Sequence, residues 1–187
     1  MLLRGRRVAV LVEKWYQELE FWYPVLRLRE EGADVVAVGT GSAQSYTGEN
    51  GLSAQVDRSA DDVSAADFDA VVVPGGYAPD RLRCYPAVLR LVREAYEQGK
   101  VVAAICHAPW VLIAAGIIRG KRATCYHAIK DDVINAGALY EDSEVVRDGN
   151  LITSRQPSDL GAFCRTIIAA LVEEQRRALA EIGPTIS

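Results

Sequence analysis

Cys106 and His107 close the apolar run Val101-Val102-Ala103-Ala104-Ile105 and stand just before Ala108-Pro109. The helix-forming series Trp110-Val111-Leu112-Ile113-Ala114-Ala115 follows and stops at Gly116. That order reads as strand, sharp turn, helix. A cysteine at such a turn projects from the carboxyl end of a buried strand, with the first free N–H groups of a helix directed at its sulfur. The arrangement favours thiolate, the nucleophilic form. The competing reading is a small core hydrophobe, the usual place of a cysteine after an apolar strand.

The elements that would position this pair repeat as strand and helix. Val8 to Val12 is continuously apolar, the mark of a strand covered on both faces of a parallel sheet. A helix holding Leu19, Trp22, Tyr23, Leu26 and Leu28 follows, with Glu20 in its first turns and an end near Gly32. Val35 to Val38 is a second strand, and Ala70 to Val73 a third, closed by Pro74-Gly75-Gly76. The two glycines free the backbone to take positive φ and to bring N–H groups close to a ligand. Between them, Leu52 to Val56 reads as a small hairpin arm. Pro86 to about Gln98 reads as a helix with Pro at its first turn and Gly99 as its cap. Both Gly75-Gly76 and Cys106 thus fall at carboxyl ends of strands, the edge at which open parallel sheets bind ligands.

Beyond Gly116 the elements shorten. Arg122 to Tyr126 reads as extended, Asp131 to Ala136 as a short helix, and Val145-Val146 with Leu151-Ile152-Thr153 as strands joined through Asp148-Gly149-Asn150. Ser158 or Asp159 is placed to cap a last helix through Leu160, Phe163, Ile167, Ile168 and Leu171, with Gly183-Pro184 at its end.

The chain has 187 residues, half of them hydrophobic, and a net charge of −4 with both signs interspersed. That length suits one α/β domain, with a core over about 6–172 and a helical tail. The charge pattern offers no basic field for nucleic acid, and the apolar run after the basic start is too short for a membrane span. Cys84, Cys106, Cys125 and Cys164 show no zinc-ligand spacing, and two scattered histidines make no metal site, so no metal or cofactor is expected. Free thiols fit a cytoplasmic location.

Five stretches together resemble the ThiJ/PfpI superfamily, in its PfpI intracellular protease branch. They are Ala104-Ile105-Cys106-His107-Ala108-Pro109; Val73-Pro74-Gly75-Gly76-Tyr77-Ala78-Pro79-Asp80; Glu20 four residues before Pro24; Ile129-Lys130-Asp131-Asp132 with Asn135-Ala136-Gly137; and Thr153-Ser154-Arg155. The resemblance implies a flavodoxin-like three-layer α/β sandwich with a mainly parallel sheet, akin to class I glutamine amidotransferases. It implies Cys106 at a nucleophile elbow, a triad of Cys106, His107 and an acidic residue from a neighbouring subunit at the Asp80 position, and assembly as a dimer or hexamer. Substrates implied are peptides, or glyoxal and methylglyoxal adducts, attacked at a carbonyl in a stress-protective role. The sequence departs from the family pattern at Asp80, where glutamate is usual, at Ala108, usually glycine, and at Tyr126-His127-Ala128, usually Tyr-Pro-Gly.

The resemblance places the Glu20 carboxyl beside the sulfur, where two anions repel and one group must hold a proton; otherwise Glu20 is an exposed residue of an amphipathic helix. Adjacent side chains at a turn usually diverge, so His107 is expected to serve through its backbone N–H, with Gly76, as an oxyanion donor. Its imidazole is either catalytic or a structural histidine bonded to a carboxylate such as Asp80. Tyr126 and His127 either line the pocket or pack. Arg155 pairs with an aspartate or a substrate carboxylate, and Cys125 is structural or a resolving thiol. The alternative to a hydrolase is an oxidative-stress sensor or holding chaperone built on an oxidisable Cys106.

Overall fold

The structure, a computed structural model, describes residues 1–182; the expected Gly183-Pro184 terminus lies outside them. Strand β1 (Arg7–Val12) is followed by α1 (Glu18–Glu30), β2 (Asp34–Gly39) and a small antiparallel arm of β3 (Ser45–Thr47) and β4 (Ser53–Gln55). Then come β5 (Arg58–Ser59), β6 (Ala70–Val73), α2 (Ala78–Leu82), α3 (Pro86–Glu97), β7 (Val101–Ile105) and α4 (Pro109–Ala115). The chain continues through β8 (Arg122–Ala123), α5 (Lys130–Asn135), β9 (Leu139–Tyr140), β10 (Val145–Asp148), β11 (Leu151–Ser154) and α6 (Leu160–Ile182).

The main sheet runs β10-β11-β7-β6-β1-β2-β5, parallel throughout except for the β10–β11 hairpin. Its central order β2-β1-β6-β7-β11 is the flavodoxin-like one, in which the strand order reverses between β1 and β6. Helices α1 and α6 pack together on one face, and α3 packs on α4, with α2 and α5 also against α4, on the other. The continuous apolar strands follow from this double cover: Val8 to Val12, Ala70 to Val73 and Val101 to Ile105 are all buried. At the edges, β5 has two residues and β10 is only partly covered, as exposed edges require. No helix among the described residues is long and apolar enough to cross a membrane.

Two readings change and one element is added. The apolar face of α1 is rotated from the expected one: Phe21, Pro24, Val25 and Leu28 are buried, while Leu19, Tyr23 and Leu26 stand 57%, 41% and 61% exposed. Tertiary contact with α6 and β1, rather than the count of apolar residues, set which side faces inward. The stretch after Gly76 forms a short helix, α2, that buries Ala78, Pro79 and Leu82 and is too short to show a helical period in the sequence. Neither Ser158 nor Asp159 caps α6 directly; Pro157–Asp159 forms a 3-10 turn leading into it, and the Asp159 carboxylate is taken by Arg155.

Candidate active site

Cys106 sits at the end of β7 with φ 64°, a left-handed conformation that costs a non-glycine residue on the order of 1–3 kcal/mol. The surroundings impose it. Its N–H donates to the Ser154 carbonyl at 3.0 Å, and its carbonyl accepts from the Tyr126 N–H at 2.9 Å. The side chain therefore turns out of the sheet edge towards the crevice at the β1/β6 reversal, the expected place for a ligand in this topology.

Four groups converge on the sulfur. The N–H groups of Gly76 and His107 are directed at it. His107 Nδ1 lies 3.2 Å away, which corrects the expectation that the adjacent side chains diverge: the positive φ at Cys106 swings its Cβ to the same side as the ring. Glu20 is the fourth. Gln17 caps α1 by accepting from the Glu20 N–H at 2.9 Å, and Pro24 has no N–H to offer the Glu20 carbonyl one turn back. The Glu20 side chain is fully buried, with Oε2 accepting from the Gly75 N–H at 2.8 Å. Oε1 has no hydrogen-bond partner among the described residues, and the carboxyl as a whole interacts with the Cys106 thiol. Gly75 is the only residue type that fits between them, since a Cβ there would lie 2.5 Å from Glu20 Oε2 and 2.6 Å from Cys106 Cβ.

Burial dominates the electrostatics. It raises the Glu20 carboxyl to about 7, against the opposing pull of the Gly75 N–H and Cys106. Burial, and next the Glu20 charge, also push the Cys106 thiol well above its ordinary range, while the Gly76 and His107 N–H groups draw it back. The expected thiolate-favouring field of the turn is present, but desolvation outweighs it in the resting protein. Near neutral pH the thiol keeps its proton while Glu20 titrates beside it, and the two N–H groups are set to stabilise charge on sulfur when that proton moves. Burial, and then His127, hold the His107 imidazole below its ordinary range, which keeps it neutral and able to accept a proton.

The other expected residues divide. Tyr126 stacks at 5.0 Å on His107, and His127 at 4.3 Å on Tyr126, so both flank the site. Asp80 is exposed and pairs at 2.7 Å with its own Arg83, not with His107. Arg155 lies apart, clamped between Asp142 at 2.8 Å and Asp159 at 2.9 Å. Cys125 is buried among Asp132, Lys130 and Tyr140, groups that the Cys106 sulfur does not share. All four cysteines are free.

A cleft of about 640 Å³ is walled by Trp15, Glu49, Tyr77, Asp80, Arg81 and Trp110, and Trp110 joins it to the thiol site. Trp110 meets the His107 ring edge-on at 5.3 Å. Trp15 is the other non-glycine residue with positive φ among the described residues, at 65°. Its N–H donates to the Thr47 carbonyl, and its own carbonyl accepts from Tyr77 and Ala78. A Cβ on Gly76 would meet that carbonyl at 2.7 Å. Glu49 arrives on the loop of the β3–β4 arm, which Glu18 pins through Asn50. Sequence reasoning missed Trp15, Glu49 and Trp110 as site residues. The one available signal was an aromatic pair, Trp15-Tyr16, in a short loop directly after a buried strand.

The DJ-1/PfpI family matches residues 6–170. Deglycase PfpI of Pyrococcus furiosus is 41% identical over 165 residues, covering 88% of this chain and 99% of that protein. Protein/nucleic acid deglycase 2 of Escherichia coli is 39% identical over 169 residues, covering 89% and 98%. Among solved structures, a two-domain protein from Anabaena variabilis with DJ-1/ThiJ/PfpI-like and ferritin-like domains superposes with a TM-score of 0.88 at 47% identity. That match covers 89% of this chain and 48% of the other, so the chain spans about half of that two-domain protein. With a family match over nearly the whole chain and relatives this similar along their full length, the chain belongs to the DJ-1/PfpI family.

Proposed function

We propose that this protein is a cytoplasmic cysteine-dependent hydrolase of stress protection that removes glyoxal and methylglyoxal adducts, with Cys106 attacking a carbonyl carbon. The observation that carries the reading is the convergence of His107 Nδ1, two backbone N–H groups and the buried Glu20 on one strained cysteine. Relatives at about 40% identity carry names of both kinds, a PfpI deglycase and a protein/nucleic acid deglycase beside a putative cysteine protease, and the deglycase names support adduct removal as the reading tested first.

In the proposed course, the hemiaminal carbon of the adduct releases its amine, the hydroxyl proton passing to the departing nitrogen, and reforms the aldehyde. Glu20 or His107 takes the thiol proton as the Sγ–C bond forms at that aldehyde carbon. The C=O π pair becomes an oxyanion held by the Gly76 and His107 N–H groups and then takes the proton back from the acid so formed. The resulting hemithioacetal, with a carbonyl at its neighbouring carbon, moves the proton of the sulfur-bearing carbon to that neighbour and its hydroxyl proton to the neighbour's oxygen, and becomes a thioester. Water then hydrolyses it to a hydroxy acid and restores the thiol; the oxidation of one carbon balances the reduction of the next. Glu20, with its carboxyl near 7, suits both directions of proton transfer.

The proposal includes self-association as a dimer or hexamer. The exposed stripe Leu19, Tyr23 and Leu26 on α1 supports it, and Asp80 is exposed enough to approach a neighbour. The test compares methylglyoxal-adduct and peptide turnover by wild type and Cys106→Ser, with mass spectrometry of Cys106 after mild peroxide. Cysteine-dependent release of a hydroxy acid supports the reading. Peptide turnover alone replaces deglycase with peptidase, and clean oxidation of Cys106 without turnover of either substrate replaces both with a sensor.

A further inference from the structure

The outer edge of the sheet is only partly covered along β2. Strand β5 pairs with Val38 and Gly39 alone. Just ahead of it Asp57 takes the place of a strand residue: its carboxylate accepts from the Ala37 N–H at 2.8 Å, and its own N–H donates to the Ala37 carbonyl. Beyond Asp57 the edge is bare. The Asp34 N–H donates to the Arg6 carbonyl on the β1 side, so the alternation of a strand turns the N–H and C=O of Val35 outward, to the same edge as those of Ala37.

The Val35 carbonyl is already used, because Arg29 reaches to it at 3.0 Å from the last turn of α1. No strand among the described residues pairs with the Val35 N–H on that side. Val35 lines a cavity of about 370 Å³ together with Arg7, Arg29 and Arg58. Two carboxylates line it as well, and both are engaged: Asp34 by Arg7 at 3.0 Å, and Asp57 by the Ala37 N–H. Arg29 and Arg58 have no ion-pair partner among the described residues; backbone carbonyls of Val35 and Asp57, at 3.0 Å and 3.1 Å, steer their guanidinium groups. Three cations against two anions leave a net positive charge, and the groups still to be satisfied are donors. Such a cavity is complementary to an anion with several acceptor oxygens, which guanidinium forks bind two at a time.

A second cavity, of about 220 Å³, shares Arg29 and Asp57 with the first and runs under Phe21, Trp22 and Val25 of α1. Trp22 is set in place there, with its Nε1–H donating to the Tyr16 hydroxyl at 3.3 Å and its ring edge-on to Phe21 at 5.0 Å. The space holds roughly seven heavy atoms at a water's share of volume per atom.

We infer that the outer edge of β2 is a binding site for a small phosphate monoester. The phosphate lies on the Val35 N–H, Arg29 and Arg58, and a compact ring or apolar body lies against Phe21, Trp22 and Val25. Arg29, common to both cavities, fixes the ligand at its ester oxygen. The site starts from the amino ends of β1 and β2, whereas Cys106 follows the carboxyl end of β7, and β1 and β6 separate β2 from β7. Its ligand is therefore distinct from whatever the thiol attacks, and the inference stands apart from the proposed reaction.

The test uses phenyl phosphate, with inorganic phosphate and phenol as its two halves, titrated into the whole protein at low salt by calorimetry. Phenyl phosphate is expected to bind at least about tenfold more tightly than either half. Arg29→Gln and Arg58→Gln should each weaken it about tenfold by removing a charge-assisted bond, while Arg83→Gln, beside Trp110 at the other edge of the sheet, should leave it unchanged. In amide NMR of the wild type, which needs no variant to fold, the Val35 signal should move downfield along the calorimetric binding curve. Phenol binding as tightly as phenyl phosphate overturns the anion site, and inorganic phosphate binding as tightly overturns the place given to the body. Affinity indifferent to both arginine substitutions, a Val35 amide that does not move, or no binding in the millimolar range overturns the inference as a whole.

Discussion

Replacing Glu20 by glutamine isolates the group on which the site's proton economy depends. The carboxyl sits at about 7 instead of an ordinary 4.5 because it is buried, a difference equivalent to about 3 kcal/mol. A raised carboxyl means that the folded protein holds this proton more tightly than the unfolded chain does. The associated stability is fully present below about 4.5 and declines as pH rises to about 7, above which the charged form is buried at full cost. Glutamine keeps the shape and an oxygen for the Gly75 N–H but does not titrate. The stability of Glu20→Gln relative to wild type should therefore climb by about 3 kcal/mol between pH 4 and pH 8. In a domain of this size that corresponds to roughly 6–12 °C in Tm. The assay is urea or thermal unfolding of both proteins across that range, and only the pH slope of their difference matters. A flat difference curve refutes the argument that burial raises the Glu20 carboxyl. The same variant should alkylate at Cys106 with iodoacetamide at lower pH than wild type, because the Glu20 charge is part of what pushes the thiol up; an unshifted profile removes Glu20 from contact with the sulfur.

Three further outcomes follow from the geometry. Gly75→Ala places a methyl 2.5 Å from Glu20 Oε2 and 2.6 Å from Cys106 Cβ, so turnover should fall at least about a hundredfold while circular dichroism retains the α/β spectrum; near-normal turnover would show that the acid and thiol need not be in register. His107→Asn keeps the backbone N–H at the sulfur but loses the imidazole 3.2 Å away, and a fall of roughly 10²–10⁴ is expected for a lost proton carrier. In wild type, burial and His127 keep His107 neutral, so the acid limb of the rate profile due to this group should lie below the ordinary histidine range. Leu19→Lys with Leu26→Lys should convert the assembly to single chains in sedimentation at micromolar concentration; a wild type that sediments as one chain contradicts the self-association proposed from that stripe.

Much of this arrangement was legible in the residues because it depends on local order along the chain. Apolar runs covered on both faces announce parallel strands, and Gly75-Gly76 and Cys106 directly after two such runs must fall on the same sheet edge whatever packs around them. Glu20 beside the sulfur was legible only through resemblance, since nothing in a helical glutamate's neighbours says which face turns inward. Tertiary structure decided that face: α1 buries Glu20 with Phe21 and Leu28 and leaves Leu19, Tyr23 and Leu26 outside. It decided the Cys106–His107 contact, because the sign of φ at Cys106 is imposed by bonds to Ser154 and Tyr126, which are distant in sequence. It also decided the protonation, since desolvation depends on what surrounds a group in space, and the turn's N–H groups could not outweigh burial. The cleft was illegible for the same reason. Trp15, Glu49 and Trp110 come from three separate loops and helices, and only the folded sheet edge brings them together on one cleft.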